Sequence, residues 1–343
     1  MKPFYRNKII ASGLFAGLLA SLSPSAASAG ETIFVVNGGG DTIGAYTASG
    51  ATLNAALISG LRGPVSIAVS GSDLFVTNET NGTVGAYTTS GATVNAALIS
   101  GLIAPNGIVE SGSDLFVTDE VAGTIGAYTT SGTTVNATLV SGLSAAVPRD
   151  IALSGSDLFV ANEIAGTIGE YTTSGATVNA ALISGLSEPF AIAVSGSDLF
   201  VANNGTGTIG EYTLSGATVN ATLISGLSTT LGIAVFGSDL FVTNLSAGTV
   251  AEYTTSGATV NAALISGLND PAGIAISESR SSVVPEASTW AMLLTGFAAL
   301  AFAGFRRARS GADSAQLAFV APPAAGTTFA VAAGLQSRCR ALA

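Results

Sequence analysis

Asp73-Leu74-Phe75-Val76, then Thr83-Val84-Gly85-Ala86-Tyr87, then Ala92-Thr93-Val94-Asn95-Ala96-Ala97-Leu98-Ile99, is one copy of a unit that occurs six times between Ile33 and Ile276. Leu-Phe-Val recurs from Leu74, Leu115, Leu158, Leu199 and Leu240, with Ile33-Phe34-Val35 as the first version. The tyrosines Tyr46, Tyr87, Tyr128, Tyr171, Tyr212 and Tyr253 space successive copies by 41, 41, 43, 41 and 41 residues, the two extra residues lying in Ala145–Arg149. Each copy closes on a short apolar run centred on Ile67, Ile108, Ile151, Ile192, Ile233 or Ile274. Every unit thus offers four short runs rich in Val, Ile, Thr, Phe and Tyr, separated by Gly, Ser, Asn and Asp, which predicts four antiparallel strands joined by tight turns.

A period near 41 residues with four strands is that of a β-propeller blade. With the Ile67-type run named strand a, Leu-Phe-Val b, Ile-Gly-Ala-Tyr c and Val-Asn-Ala-Ala-Leu-Ile d, the array starts on b at Ile33 and ends on a at Gly273–Ile276. A ring can use that offset, since its last strand can complete its first blade and leave no exposed end. The expectation is an all-β, six-bladed propeller over residues 30–276, with an open β-solenoid as the alternative. Near-continuous apolar strands agree with blades packed on both faces.

Between Glu31 and Ile276 the only basic residues are Arg62 and Arg149, against 18 acidic ones, a formal charge of −16. That disfavours a nucleic-acid partner, because phosphate binding needs Lys and Arg. The single cysteine, Cys339, excludes an intramolecular disulfide. Residues 1–29 read as a signal peptide: Lys2, Arg6 and Lys8, an apolar stretch Ile9–Ala20, and cleavage at Ala27-Ser28-Ala29. Export through the Sec machinery follows. After a linker at 277–283, an apolar run Ala291–Phe305 ends in Arg306-Arg307-Ala308-Arg309, which reads as a C-terminal transmembrane helix with its arginines in the cytoplasm.

Residues 284–309 resemble the PEP-CTERM sorting signal, also known as the ice-binding-protein C-terminal domain. The matching residues are Val284, Pro285, Glu286, Ser288-Thr289-Trp290-Ala291-Met292-Leu293-Leu294, Gly296-Phe297 and Arg306-Arg307, with Ala287 in place of the usual second proline. The resemblance implies sorting by an exosortase-type protease at the inner membrane, then a place at the cell surface or outside the cell. Residues 310–343, rich in Ala, Gly and Pro, read as a disordered tail.

The chain has no histidine, which removes histidine-based triads, dyads and metal sites. Gly205-Thr206-Gly207-Thr208-Ile209-Gly210 matches a dinucleotide-loop pattern, but it joins two strands and reads as a hairpin turn. The repeated Gly-Ser-Asp at Asp73, Asp114, Asp157, Asp198 and Asp239 reads as a turn rather than as a calcium loop, and no metal or cofactor is expected.

Strand alternation puts the near-invariant a to b and c to d turns on one face and the variable b to c and d to a connections on the other. Function tends to reside on variable loops held by a rigid scaffold. The candidate binding residues are therefore Asn37, Asp41, Arg62, Asn78, Glu79, Asp119, Glu120, Arg149, Asn162, Glu163, Glu188, Phe190, Asn203 and Asn244. The array resembles the NHL, YVTN and SMP-30-like propeller group, through Gly232-Ile233-Ala234-Val235 and Asp239-Leu240-Phe241-Val242. The expected function is a non-enzymatic binding or interaction module of the cell envelope or matrix, with a polysaccharide or protein ligand and no catalytic residue. A calcium-dependent lactonase-like hydrolase and a structural adhesin are the alternatives.

Overall fold

The computed structural model describes residues 31–277. The described residues belong to one compact unit. They form six four-stranded antiparallel sheets arranged as the blades of a propeller, with one short 3-10 turn at Gly38–Gly40. In blade 2 strands a to d are Pro64–Ser70, Asp73–Asn78, Thr83–Thr88 and Thr93–Ser100, and blades 3 to 6 repeat this order. Blade 1 takes strand a from the far end: Pro271–Ser277 pairs with Thr32–Asn37, with Ile33 opposite Ile276 and Val35 opposite Ile274. The expected ring closure is therefore present, and the open solenoid is not.

The core lies between blades. Successive side chains of a strand point to opposite faces, so Leu74 and Val76 pack toward blade 1 with Phe34, Ile43 and Ile58, while Phe75 packs toward blade 3 with Leu115, Val117 and Tyr128. Both faces are buried, which explains why Leu-Phe-Val reads as an unbroken apolar run. The last interface joins Phe241, Val250 and Ile265 of blade 6 to Ile33, Val35 and Tyr46 of blade 1. Each c to d turn also leans on the preceding blade. A methyl on Gly91, which sits at φ 90°, would fall 2.6 Å from the Leu57 carbonyl oxygen, so this turn admits only glycine.

The two invariant turns have clear physical origins. Ser70 pairs with Asp73 around the two-residue loop Gly71-Ser72, with Gly71 at φ 58°. In the c to d turn the Ala92 amide donates to Thr88 Oγ1 at 3.0 Å, and the Thr88 amide donates to the Ala92 carbonyl at 2.8 Å. The Gly205–Gly207 segment is a b to c turn leading into strand c at Thr208–Thr213, and no helix follows it. The signal peptide, the transmembrane helix, the PEP-CTERM segment and the tail fall outside the described residues.

Candidate functional site

Strand a opens with proline in five blades, at Pro64, Pro105, Pro148, Pro189 and Pro271. The first residue of a strand is where proline is tolerated. The residues in the next column are Val65, Asn106, Arg149, Phe190, Leu231 and Ala272: six different residues in a chain that otherwise repeats itself. All six line one cavity of about 410 Å³ on the variable face, with Glu79, Leu245 and Asp270 contributed by the loops. A mostly apolar cavity of this size with a few placed polar groups suits a small ligand.

One residue further in, the column is Ser66, Gly107, Asp150, Ala191, Gly232 and Gly273. Small residues are needed because the six strands converge: a methyl on Gly107 would lie 2.7 Å from the Arg149 carbonyl oxygen, and one on Gly273 2.7 Å from Ser66 Cα. Asp150 is the exception. It lines a central channel of about 100 Å³ whose walls include the six isoleucines Ile67, Ile108, Ile151, Ile192, Ile233 and Ile274. Its Oδ1 accepts from the Ile151 amide at 2.9 Å and its Oδ2 from the Ile192 amide at 3.1 Å, a bridge from blade 4 to blade 5. Asp150 is partly exposed, and it lines this channel. Burial still pushes its carboxyl up to about 6, against the partial opposition of the two amide bonds.

Arg149 stands directly above. It pairs with Glu120, donates from Nε to Glu163 Oε2 at 2.6 Å, and lies 5.0 Å over the Phe190 ring. Thr118 holds the segment from beneath, its hydroxyl donating to the Arg149 carbonyl at 2.5 Å. Both glutamates and the arginine are about four-fifths buried, a depth at which charge-assisted bonds fix geometry well. The structure thus brings Glu79, Glu120, Arg149, Glu163 and Phe190 together at the channel mouth.

The other candidate residues are placed differently. Asn37, Asn78, Asp119, Asn162, Asn203 and Asn244 end strand b and are buried. Asp119 accepts from the amides of Ile103, Ala104 and Ala122, so in blade 3 this position ties down the loop. Asp41 accepts from the Gly63 amide at 2.9 Å, while Arg62 and Glu188 face solvent. Val65, Asn106, Asp150, Leu231 and Ala272 join the site without having stood out in the sequence. Aligning the copies on their strand-a proline exposes both columns, one as the most varied of the strand and the other as small except at Asp150. Among the described residues no group of three or more His, Cys, Asp or Glu is placed to hold a metal ion.

The model of the virginiamycin B lyase family matches residues 22–289. No curated protein matches the chain by sequence. Among solved structures, the nidogen/laminin complex contains a chain of 15% identity and TM-score 0.61, with 73% of this chain and 99% of that one covered. A catalytically inactive histidine-to-alanine variant of virginiamycin B lyase from Staphylococcus aureus, with quinupristin, aligns at 18% identity and TM-score 0.55, covering 74% and 93%. A streptogramin B lyase aligns at 19% and 0.55, covering 74% and 88%. These likenesses show the shared propeller fold. The expectation of a non-enzymatic protein is corrected by the family match, since the propeller belongs with lyases. Lack of histidine removes imidazole bases only, and a channel carboxylate such as Asp150 remains. With the match spanning all six blades, the chain belongs to the virginiamycin B lyase family.

Proposed function

We propose that this chain is an exported lyase that binds an amphipathic, positively charged substrate over the channel mouth and uses Asp150 as its general base. The observation that carries this reading is the position of Asp150 directly beneath the six-residue column, with its carboxyl raised to about 6. A lyase eliminates: a base takes a proton from carbon, and the released electron pair forms a double bond as the neighbouring bond breaks. No water is consumed. A base whose pKa lies near neutrality combines availability with driving force. Arg149 has five N–H donors and directs two at glutamates, leaving donors for a carbonyl oxygen that gains negative charge during proton removal. Glu79, Glu120, Glu163 and Asp270 outnumber Arg149 at the rim, which favours a basic substrate. Pro64, Phe190, Leu231 and Leu245 offer it apolar surface.

The inactive lyase variant named above lost a histidine, and this chain contains none among its 343 residues. The base here is therefore a carboxylate. Export rests on Ala27-Ser28-Ala29 and its preceding basic and apolar stretches, and sorting by an exosortase-type partner on Val284-Pro285-Glu286 with Arg306-Arg307. The test is incubation of the full chain with quinupristin and with other basic ester-containing cyclic peptides, read by mass spectrometry. Cleavage without added water is expected, with Asp150→Asn slower by about 10²- to 10⁴-fold. Native-like turnover by Asp150→Asn, or no cleavage of any member of the panel, would overturn the reading.

A further inference from the structure

The mouth cavity and the central channel have one side chain in common. Asp150 lines the channel and not the cavity, five residues of the varied column line the cavity and not the channel, and Leu231 lines both. The carboxylate assigned as base is thus not part of the wall against which a substrate would sit. Leu231 stands between the two spaces.

The rest of the column has little freedom to move. Arg149 is tied to Glu120 and Glu163 and lies over the Phe190 ring. Asn106 and Ala272 are buried, and Val65 is β-branched and stiff at its first side-chain torsion. Leu231 is only partly buried, and it packs on the cluster between blades 1 and 2 that contains Ala272. Its backbone also differs from that of its five counterparts. Strand a runs seven residues in blades 1 to 5 but only Ile233–Phe236 in blade 6, so Leu231 precedes the ladder. Thr230 takes the place of the proline that opens the other five, which removes a fixed φ. Directly after Leu231 the chain is pinned. A methyl on Gly232 would fall 2.5 Å from the Ala272 carbonyl oxygen, and the Thr243 amide donates to the Gly232 carbonyl at 3.0 Å. Motion is thereby confined to the Leu231 side chain and the residues before it.

We propose that Leu231 is the specificity gate of this site: in place it separates the cavity from Asp150, and rotated aside it admits a narrow part of a substrate to the carboxylate. The gate deepens the lyase reading and rests on it for the identity of the base, but access to Asp150 can be measured without turnover. A channel of about 100 Å³ has room for only a few water molecules. The part admitted is therefore slender, a Cα–H of the substrate's backbone beside its ester rather than an aromatic side chain.

Alanine and phenylalanine already occupy this column, at Ala272 and Phe190, so Leu231→Ala and Leu231→Phe are substitutions suited to the ring. The full chain and both variants are treated with a water-soluble carbodiimide and glycine ethyl ester at pH 5, below the value to which burial raises the Asp150 carboxyl. Amide formation at Asp150 is followed by mass spectrometry after digestion, with the rim residues Glu79 and Asp270 as internal standards. A gate open about a tenth of the time or less should, once removed in Leu231→Ala, speed labelling of Asp150 about tenfold or more. Leu231→Phe should slow it, and Leu245→Ala, which widens the cavity alone, should leave it unchanged. Equal rates in the native chain and both Leu231 variants would overturn the gate, as would an Asp150 that is labelled in none of them. Labelling that follows Leu231 without cleavage of any peptide would uphold the gate and remove the lyase reading, so the two failures are distinct.

Discussion

Asp150 couples stability to pH in a direction opposite to that of a salt-bridged aspartate. Burial raises its folded-state carboxyl to about 6 from an ordinary 3.8, so in that window the folded protein holds a proton that the unfolded chain has released. The folded state then binds more protons, and stability falls as pH rises through the window, levelling off above it. A tenfold change in a proton-dissociation constant corresponds to about 1.4 kcal/mol, so the loss is on the order of 1–3 kcal/mol once the residue's partial exposure is allowed for. Asp150→Asn should abolish this increment. In urea titrations at a series of pH values between 4 and 7.5, the native-minus-variant difference should decline steadily and then plateau; a constant difference would contradict the burial argument. Asp150 is inconspicuous in the sequence because a lone aspartate in a loop-rich connection looks like a turn former. It becomes informative only when Ser66, Gly107, Ala191, Gly232 and Gly273 are known to share its column around the axis. Arg149 and Phe190 were legible because basic and aromatic residues are scarce on the variable face, but their stacking depends on the depth at which neighbouring strands start. The buried asparagines ending strand b mark the limit of loop variability as a guide, since it does not distinguish a side chain aimed at solvent from one tucked under the turn.

At the scale of the strand, the outermost member of each blade poses the hazard of an open edge. Strand d is exposed along most of its length, and Leu53, Val94, Val135, Val178, Val219 and Val260 present apolar side chains at the same position in every blade. Such an edge invites pairing with a second copy. The repeat answers with asparagine: Asn54, Asn95, Asn136, Asn179, Asn220 and Asn261 each accept, through Oδ1, the amide two residues on at 3.1 Å. The same asparagines sit where the c to d register shifts, so the edge is also bulged. That Val-Asn-Ala-Ala-Leu-Ile forms a strand was readable from its residues, but its place as the solvent edge was not, because its apolar content matches that of the buried strands. Replacing Asn95, Asn136 and Asn179 by valine should leave the melting temperature within a few degrees while raising aggregation. Light scattering during incubation at 37 °C would register the change, and a triple variant as monodisperse as the native chain would remove the asparagines from this role.

For the whole array, the phase offset from strand b to strand a carries the architecture, and the pairing of Ile33 with Ile276 realises it. Closure is more than one ladder. Strand a of blade 1 also brings buried Ile274 to the interface between blades 6 and 1 and buried Ala272 to the interface between blades 1 and 2, while the Gly38 amide donates to the Asp270 carbonyl at 3.0 Å. Losing this strand would expose Ile33 and Val35, both fully buried, along a bare sheet edge. Burial of one such side chain is worth about 1.5–3 kcal/mol, so removing several at once approaches the total stability of a typical domain, about 5–15 kcal/mol. Two truncations isolate the effect: one ending at Ser277, which keeps the strand, and one ending at Asp270, which lacks it. The first should melt cooperatively near the temperature of the full chain. The second, seven residues shorter, should lose cooperative unfolding throughout the ring, because blades 6, 1 and 2 all lose packing partners and the opening can propagate blade by blade. Hydrogen exchange resolved by blade would separate the architectures: protection lost in blades 3 to 5 as well as at the seam marks a ring held by its closure, whereas loss confined to blade 1 would mean that each blade stands on its neighbours alone.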